Sequence, residues 1–271
     1  MNAEQVKAIL KDTFNTVADV YDHPSLRFFP ASARHLAEFL NLRGDEHVLD
    51  VATGTGHAAL ELAARLPRGR VTGVDFSAGM LARARRKAAA RGVANVEFAE
   101  MDMQDLRLPD GQFDAALCAF GIFFVEDMDA ALAHIAAKVR PGGTVAICNF
   151  QQDYFFPLRK LLMDRLAARG IPLPPQTWER IATAAGCRTL FETAGLRDIR
   201  TEARNMGYFL ADENEWWNVV WNAGFRRLVS QIPPADLPRF REDHLREVAA
   251  LKTAQGIWLD IGVLFTTGKT G

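Results

Sequence analysis

Three aspartates, Asp50, Asp75 and Asp102, each stand at or near the end of a short apolar run. Glycines follow the first in the string Asp50-Val51-Ala52-Thr53-Gly54-Thr55-Gly56. Glycine at such a place lets the chain turn tightly and lets backbone atoms approach a ligand with no Cβ in the way. A helix that opens directly afterwards faces that ligand with unpaired N–H groups. Asp75, at the tip of the second run, can accept hydrogen bonds from both hydroxyls of a ribose. Phe76 and Met80, just beyond it, can wall an adenine. Glu100-Met101-Asp102-Met103 offers a carboxylate to an exocyclic amine and an apolar flank to a purine. The chemistry is recognition of an adenosine. The glycines alone also suit a plain strand-to-helix turn, and Gly54-Thr55-Gly56-His57-Ala58-Ala59 fits the GxGxxA form of the nicotinamide-dinucleotide fingerprint.

Those residues need a scaffold, and the apolar pattern supplies one. Strands are predicted at His47–Val51, Val71–Val74, Val96–Ala99, Phe113–Phe120 and Thr144–Phe150. Helices are predicted between them over Ala58–Leu66, Ala78–Arg91 and Ala130–Lys138, the last stopping at a turn over Arg140-Pro141-Gly142-Gly143. Strands alternating with helices imply right-handed crossovers and a parallel sheet covered on both faces. The expected fold is a single α/β doubly wound, Rossmann-like domain, with residues 45–150 as the cofactor-binding core. Residues 1–40 read as an N-terminal helical cap, beginning with an amphipathic pattern over Met1–Lys11. Residues 153–182, broken by Pro172, Pro174 and Pro175, and residues 212–252 read as helical insertions. Between them come a helix near Gly186–Ala194 and a strand near Ile199–Ala203, and Ile257–Thr266 suits one last strand.

The strand-end motifs, in this order and at this spacing, resemble those of the class I S-adenosylmethionine-dependent methyltransferases. Phe14, Val17, Ala18 and Tyr21-Asp22 add a similarity to the ubiquinone/menaquinone-biosynthesis C-methyltransferase group, convincing over residues 14–150 and thin beyond. The resemblance implies a seven-stranded, mostly parallel sheet with an antiparallel last strand, S-adenosyl-L-methionine as cofactor and S-adenosyl-L-homocysteine as product. It gives Gly54, Gly56 and the backbone near Ala52 to the methionine part, with Asp50 holding that loop. Asp75 takes the ribose, Phe76 and Met80 pack the adenine, and Asp102 with Met103 read its amino edge. Ala119 and Phe120 lie beside the sulfonium, and Tyr21 closes over the cofactor. One departure bears on the substrate. Where the quinone enzymes carry Gly-Leu-Arg-Asn, this chain has Gly121-Ile122-Phe123-Phe124, without the polar pair.

Methyl transfer from a sulfonium is an in-line displacement. The protein's task is alignment, a contribution worth roughly 7–11 kcal/mol when geometry is right. A dry, aromatic chamber suits that task, and Phe28, Phe124, Phe150, Tyr154, Tyr208 and Trp217 are the candidates to line it, under a lid made from residues 1–40, 153–182 and 212–252. The expected acceptor is a small, largely apolar molecule, aromatic or polyketide-like; carbon, oxygen and nitrogen acceptors all stay open, with the aromatic lid favouring carbon or oxygen. No general base stands out. The candidates are His23 and His57, of which His57 reads rather as lying near cofactor or solvent.

The formal net charge of −1 gives no reason to expect a nucleic-acid or anionic-membrane partner. Arg83, Arg85, Arg86 and Lys87 read as the solvated face of a helix. The three cysteines form no CxxC pair, and buried free thiols suit a reducing, cytoplasmic setting. No apolar run reaches membrane-spanning length, and no His, Cys, Asp and Glu cluster has metal-ligand spacing. Two alternatives stand beside the methyltransferase: an NAD(P)-dependent oxidoreductase, which would lack the Tyr-x-x-x-Lys pair, and a non-catalytic member that binds the cofactor as a sensor or scaffold.

Overall fold

A computed structural model describes residues 3–173 and 176–271. The expectations that involve Met1, Asn2, Pro174 and Pro175 lie outside the described residues. In chain order the elements are α1 (Ala3–Val17), α2 (Phe28–Phe39), β1 (His47–Val51), α3 (His57–Arg65), β2 (Arg70–Asp75), α4 (Ala78–Ala90), β3 (Val96–Glu100), β4 (Phe113–Ala119), α5 (Met128–Ala137), β5 (Val139–Phe150), α6 (Leu158–Ala167), α7 (Ala184–Thr193), β6 (Arg197–Asn205), β7 (Tyr208–Leu210), α8 (Glu213–Asn222), α9 (Arg226–Val229), α10 (Leu237–Ala249), β8 (Ile257–Leu259) and β9 (Gly262–Lys269). Short 3₁₀ turns occupy Pro24–Leu26, Ile122–Phe124 and Thr177–Ile181.

Seven strands form one sheet in the order β3-β2-β1-β4-β5-β9-β6. All are parallel except β9, which runs antiparallel to both β5 and β6. Strand order reverses between β1 and β4, and in open α/β sheets the crevice at that reversal is where ligands bind. Alternate residues of the central strands feed two cores. Val48, Val71, Leu117 and Cys148 join the side covered by α2, α3 and the later helices. Leu49, Val74, Cys118 and Ile147 join the side covered by α5 and α7. A third, small cluster of Val17, Ala18 and Met80 seats α1 on α4.

Helix starts follow side-chain chemistry. Ser77, Asp127, Thr183 and Asp212 each accept a backbone N–H in the first turn of α4, α5, α7 and α8, which satisfies donors that the helix itself leaves unpaired.

The structure corrects the sequence reading in three places. The Arg140–Gly143 stretch does not separate a helix from a strand. β5 begins at Val139 opposite Phe113, and pairing resumes at Ala115 with Thr144, so the four residues bulge out within the strand. The Ile257–Thr266 run is two strands. β8 pairs with β7 in a separate two-stranded ribbon, and only β9 enters the main sheet. The break falls at Asp260, whose carbonyl accepts the Phe155 N–H at 2.6 Å instead of a ladder donor. Residues 153–182 are less helical than expected, holding α6 and one 3₁₀ turn among the described residues.

Candidate active site at the strand tips

The turn after β1 carries three left-handed backbones, Ala52 (φ 56°), Gly54 (φ 56°) and Gly56 (φ 81°). The two glycines serve different ends. A Cβ on Gly54 would meet nothing within 4 Å, so its face lies open to a ligand. A Cβ on Gly56 would stand 3.1 Å from Ala84 and 3.3 Å from the Phe98 ring, so that glycine permits close helix packing. Asp50 holds the turn from beneath, accepting from the Thr53 hydroxyl at 2.6 Å. Its other oxygen has no hydrogen-bond partner among the described residues. Burial pushes its carboxyl up to about 7 against the pull of the Thr53 hydroxyl and the Ala59 N–H.

Asp75 ties neighbouring strand tips together. One oxygen accepts the Gly54 N–H at 2.9 Å and the other accepts the Ser77 N–H at 2.8 Å. Burial pushes this carboxyl up to about 6, against those backbone donors. The next tip is held close by the Met101 N–H, which donates to the Asp75 carbonyl at 3.0 Å. Asp102 accepts from Gln104 N–H at 2.9 Å and pairs with Lys7 at 2.5 Å. Lys11 of the same helix pairs with Glu100 at 2.7 Å. Helix α1 thus sits across the tip of β3, and an adenine amino group at Asp102 would share that carboxylate with Lys7.

Asn15 and Asp22 fasten the rest of the N-terminal segment. The Asn15 amide oxygen accepts from the Ser77 hydroxyl at 2.7 Å and the Gly79 N–H at 3.0 Å. Asp22 accepts from the Thr55 hydroxyl (2.7 Å), and pairs with His57 Nε2 (2.9 Å), Arg83 (2.9 Å) and Lys87 (2.8 Å). These partners hold its carboxyl well below the usual carboxylate range despite its burial. Arg83 and Lys87 therefore do not lie on a purely solvated helix face; they are counter-ions to Asp22. His57 is tied to the same aspartate, and its pKa is lowered chiefly by burial.

Met80 is buried beneath α1, beside Tyr21 and Phe14, and Phe14 lies 6.2 Å from Phe76. Tyr21 stacks on Phe29 at 5.0 Å. Burial, then the carboxylates of Asp75 and Asp22, push its hydroxyl far above the ordinary phenol range.

Past Ala119, Phe120 turns with φ 52°, its N–H on the Cys148 carbonyl at 2.8 Å. Its ring faces Phe29 (5.3 Å), Phe28 (6.2 Å) and Phe150 (4.7 Å), and Phe150 stacks on Tyr154 at 4.4 Å. Phe124 packs on Phe14 and Phe123. The hydroxyl of Tyr208 donates to the Ser25 carbonyl at 2.6 Å, linking β7 to the N-terminal segment. Trp217 lies elsewhere. It stacks on Trp221, contacts Phe240 and carries Arg241 over its ring, on a groove between α8 and α10. Its neighbour Trp216 points the other way, against Phe155 and Phe225, with its indole N–H on His244 Nε2 at 2.9 Å. His23 Nδ1 accepts from the Ser25 N–H at 3.2 Å and contacts its hydroxyl at 2.8 Å, so that ring caps the 3₁₀ turn.

Sequence reasoning missed Lys7, Asn15 and Phe29. Their partners lie far along the chain, and nothing in local spacing announces such contacts. The residues present fit an adenosylated amino acid. Gly54 leaves open space, Asp50 braces the turn from beneath, and Asp75 has lone pairs to spare for hydroxyls.

Residues 48–143 match the family model described as a methyltransferase domain. A demethylmenaquinone methyltransferase of Thermus thermophilus is 40% identical over 141 residues, covering 51% of this chain and 64% of that protein. A ubiquinone/menaquinone biosynthesis C-methyltransferase UbiE of Geotalea daltonii is 32% identical, covering 56% and 67%. An aklanonic acid methyltransferase DauC of a Streptomyces species is 29% identical, covering 55% and 68%. The chain spans just under two thirds of the Thermus relative's length. The crystal structure of the YcgJ protein of Bacillus subtilis shares the fold, with a TM-score of 0.60 at 19% identity over 89% of this chain and 98% of that one. The matched residues span all three strand-tip carboxylates and the glycine turn, which decides between the two adenosine cofactors left open by the motifs. This chain belongs to the class I S-adenosylmethionine-dependent methyltransferases and resembles the UbiE group among them.

Proposed function

We propose that the chain transfers a methyl group from S-adenosylmethionine to a small, largely apolar acceptor, an aromatic, quinone-like or polyketide-like molecule, on carbon or oxygen. The observation that carries this reading is the continuity between cradle and aromatic layer. Phe120 follows directly on the tip of β4 and touches Phe28, Phe29 and Phe150. The names of the relatives agree, since they refer to a quinone precursor and to aklanonic acid.

The cofactor, when bound, supplies an electrophilic methyl group, so the protein needs no covalent nucleophile. The chain's residues bind, orient and exclude water. Asp75 would hold the ribose of the cofactor, with Asp50 bracing the glycine turn, and Phe120 with Phe150 would flank the acceptor. Low polarity there favours neutralisation of an anionic acceptor by a sulfonium. The 1–40 segment and the 153–182 and 212–252 insertions act as the lid. Three buried free thiols fit a cytoplasmic setting.

The test is a panel of aromatic acceptors offered with methyl-labelled cofactor, alongside calorimetry with S-adenosylhomocysteine. Labelled product together with homocysteine-nucleoside binding supports the reading. Binding with no transfer across the panel favours the sensor or scaffold alternative.

A further inference from the structure

The aromatic layer ends on a cation. Tyr154, stacked on Phe150, has the guanidinium carbon of Arg159 4.5 Å from its ring centre, and the same carbon lies 4.6 Å from the ring of Trp178. Tyr154 and Trp178 meet edge to face at 5.0 Å, so the guanidinium is lodged in an aromatic corner. The two rings stand nearly perpendicular, so the guanidinium cannot lie flat on both and turns N–H groups toward its surroundings.

The N–H edge is used in part, since the Tyr154 phenol feels a hydrogen bond from Arg159 as well as its charge. Nη2 donates to the Gln176 amide oxygen at 3.3 Å. Nη1 is buried and has no hydrogen-bond partner among the described residues. No carboxylate pairs with Arg159 among them either. Arg27, which rests on the ring of Tyr208 at 3.7 Å, provides the contrast: its edge is spent on Glu215 and on the Phe209 and Pro24 carbonyls. A buried donor without an acceptor costs free energy, and folded proteins satisfy nearly all of them. The Tyr154 phenol is pushed up by burial, against the charge and the hydrogen bond of Arg159.

We propose that Arg159 binds a carboxylate on the acceptor, and that the molecule methylated is an aromatic acid whose ring lies along Phe120, Phe150 and Tyr154. The planar fork of arginine matches two carboxylate oxygens. The inference rests on the acceptor reading given above and names the acceptor's chemical class.

Calorimetry on the full chain saturated with S-adenosylhomocysteine tests it, using 2-naphthoate and its uncharged analogue 2-naphthamide as probes. The naphthoate is expected to bind about tenfold tighter than the amide or better. In Arg159→Gln that preference falls to within about twofold, with affinity for S-adenosylhomocysteine unchanged. In Arg159→Lys, which keeps the charge but loses the fork, naphthoate weakens while naphthamide does not, a result that stands even if the glutamine variant fails to fold. Equal binding of the two probes to the unmodified chain overturns the proposal and leaves the methyltransferase reading intact. So does a preference that survives Arg159→Gln, or equal weakening of both probes by Arg159→Lys. If neither probe binds, the aromatic chamber itself is wrong, and the role of Arg159 goes with it.

Discussion

Ala52 and Phe120 directly follow the adjacent parallel strands β1 and β4, and both adopt a left-handed backbone, with φ of 56° and 52°. For residues with a side chain that conformation costs roughly 1–2 kcal/mol each. It persists because the surroundings fix it. Thr53 N–H is held by the Val74 carbonyl at 2.9 Å and Phe120 N–H by the Cys148 carbonyl at 2.8 Å. The two turns also touch, since a Cβ on Gly121 would come within 2.7 Å of the Ala52 side chain. Strained non-glycine residues concentrate at functional sites, and here the strain bends two neighbouring chains away at the point where strand order reverses.

Packing of these turns can be probed at glycine. Gly54→Ala meets no atom, so its cost is backbone strain alone, about 1 kcal/mol. Gly121→Ala would force contacts of 2.7 Å on Ala52 and 2.8 Å on Cys118, and overpacking of this kind adds about 1–3 kcal/mol. Chemical denaturation should rank Gly121→Ala as the more damaging. Binding of S-adenosylhomocysteine should instead suffer in Gly54→Ala, because the new methyl enters the open face. The reverse ranking would count against the assignment of that face.

Asp75→Ala should weaken S-adenosylhomocysteine binding by about 2 kcal/mol or more, through the loss of a charged acceptor for two hydroxyls. Titration calorimetry reads this directly. Unchanged affinity would remove the ribose from Asp75.

Asp50 gives a pH signature. Its carboxyl is raised by burial from the ordinary value near 4 to about 7, so the folded protein binds its proton more tightly than the unfolded chain does. Stability from this group is therefore full below about pH 4 and is lost as pH rises to about 7. Thermal unfolding without cofactor should show Asp50→Asn more stable than the unmodified chain at pH 8, with the gap closing by pH 4. A gap of constant size would show that Asp50 does not titrate in this window.

Removing the carboxylate from Asp22 leaves His57, Arg83 and Lys87 without their shared partner. Breaking such a partly buried cluster by deleting one member costs about 3 kcal/mol. Because the carboxyl is held below its ordinary range, that contribution is complete at neutral pH and fades as pH falls below about 4. Asp22→Ala should also speed release of S-adenosylhomocysteine in stopped-flow measurements, since the N-terminal segment is pinned to the glycine turn through Thr55. Lost stability with an unchanged release rate would separate the cluster from cofactor exchange.

Phe150 and Trp217 should divide acceptor binding from scaffold stability. Phe150→Leu opens the layer beside Phe120 and should raise the acceptor KM with little effect on cofactor affinity. Trp217→Ala, in the outer groove with Trp221 and Phe240, should cost about 3 kcal/mol of stability and leave the acceptor KM unchanged. A KM effect at Trp217 alone would return that residue to the substrate wall.

The sheet and the identity of the cofactor were legible in the chain itself. Strands buried on both faces read as continuous apolar runs, and the chemistry of Asp50, Gly54, Asp75 and Asp102 sits where those runs end, so local pattern carries both fold and cofactor. The acceptor side was not legible in that way. Whether Trp216 or Trp217 faces inward depends on how α8 packs on α10. Whether Lys87 meets water or Asp22 depends on where a segment 65 residues away comes to rest. Arg159 carries no mark in sequence of its unpaired Nη1. Such contacts join residues distant along the chain through packing, and spacing records only what is periodic and near.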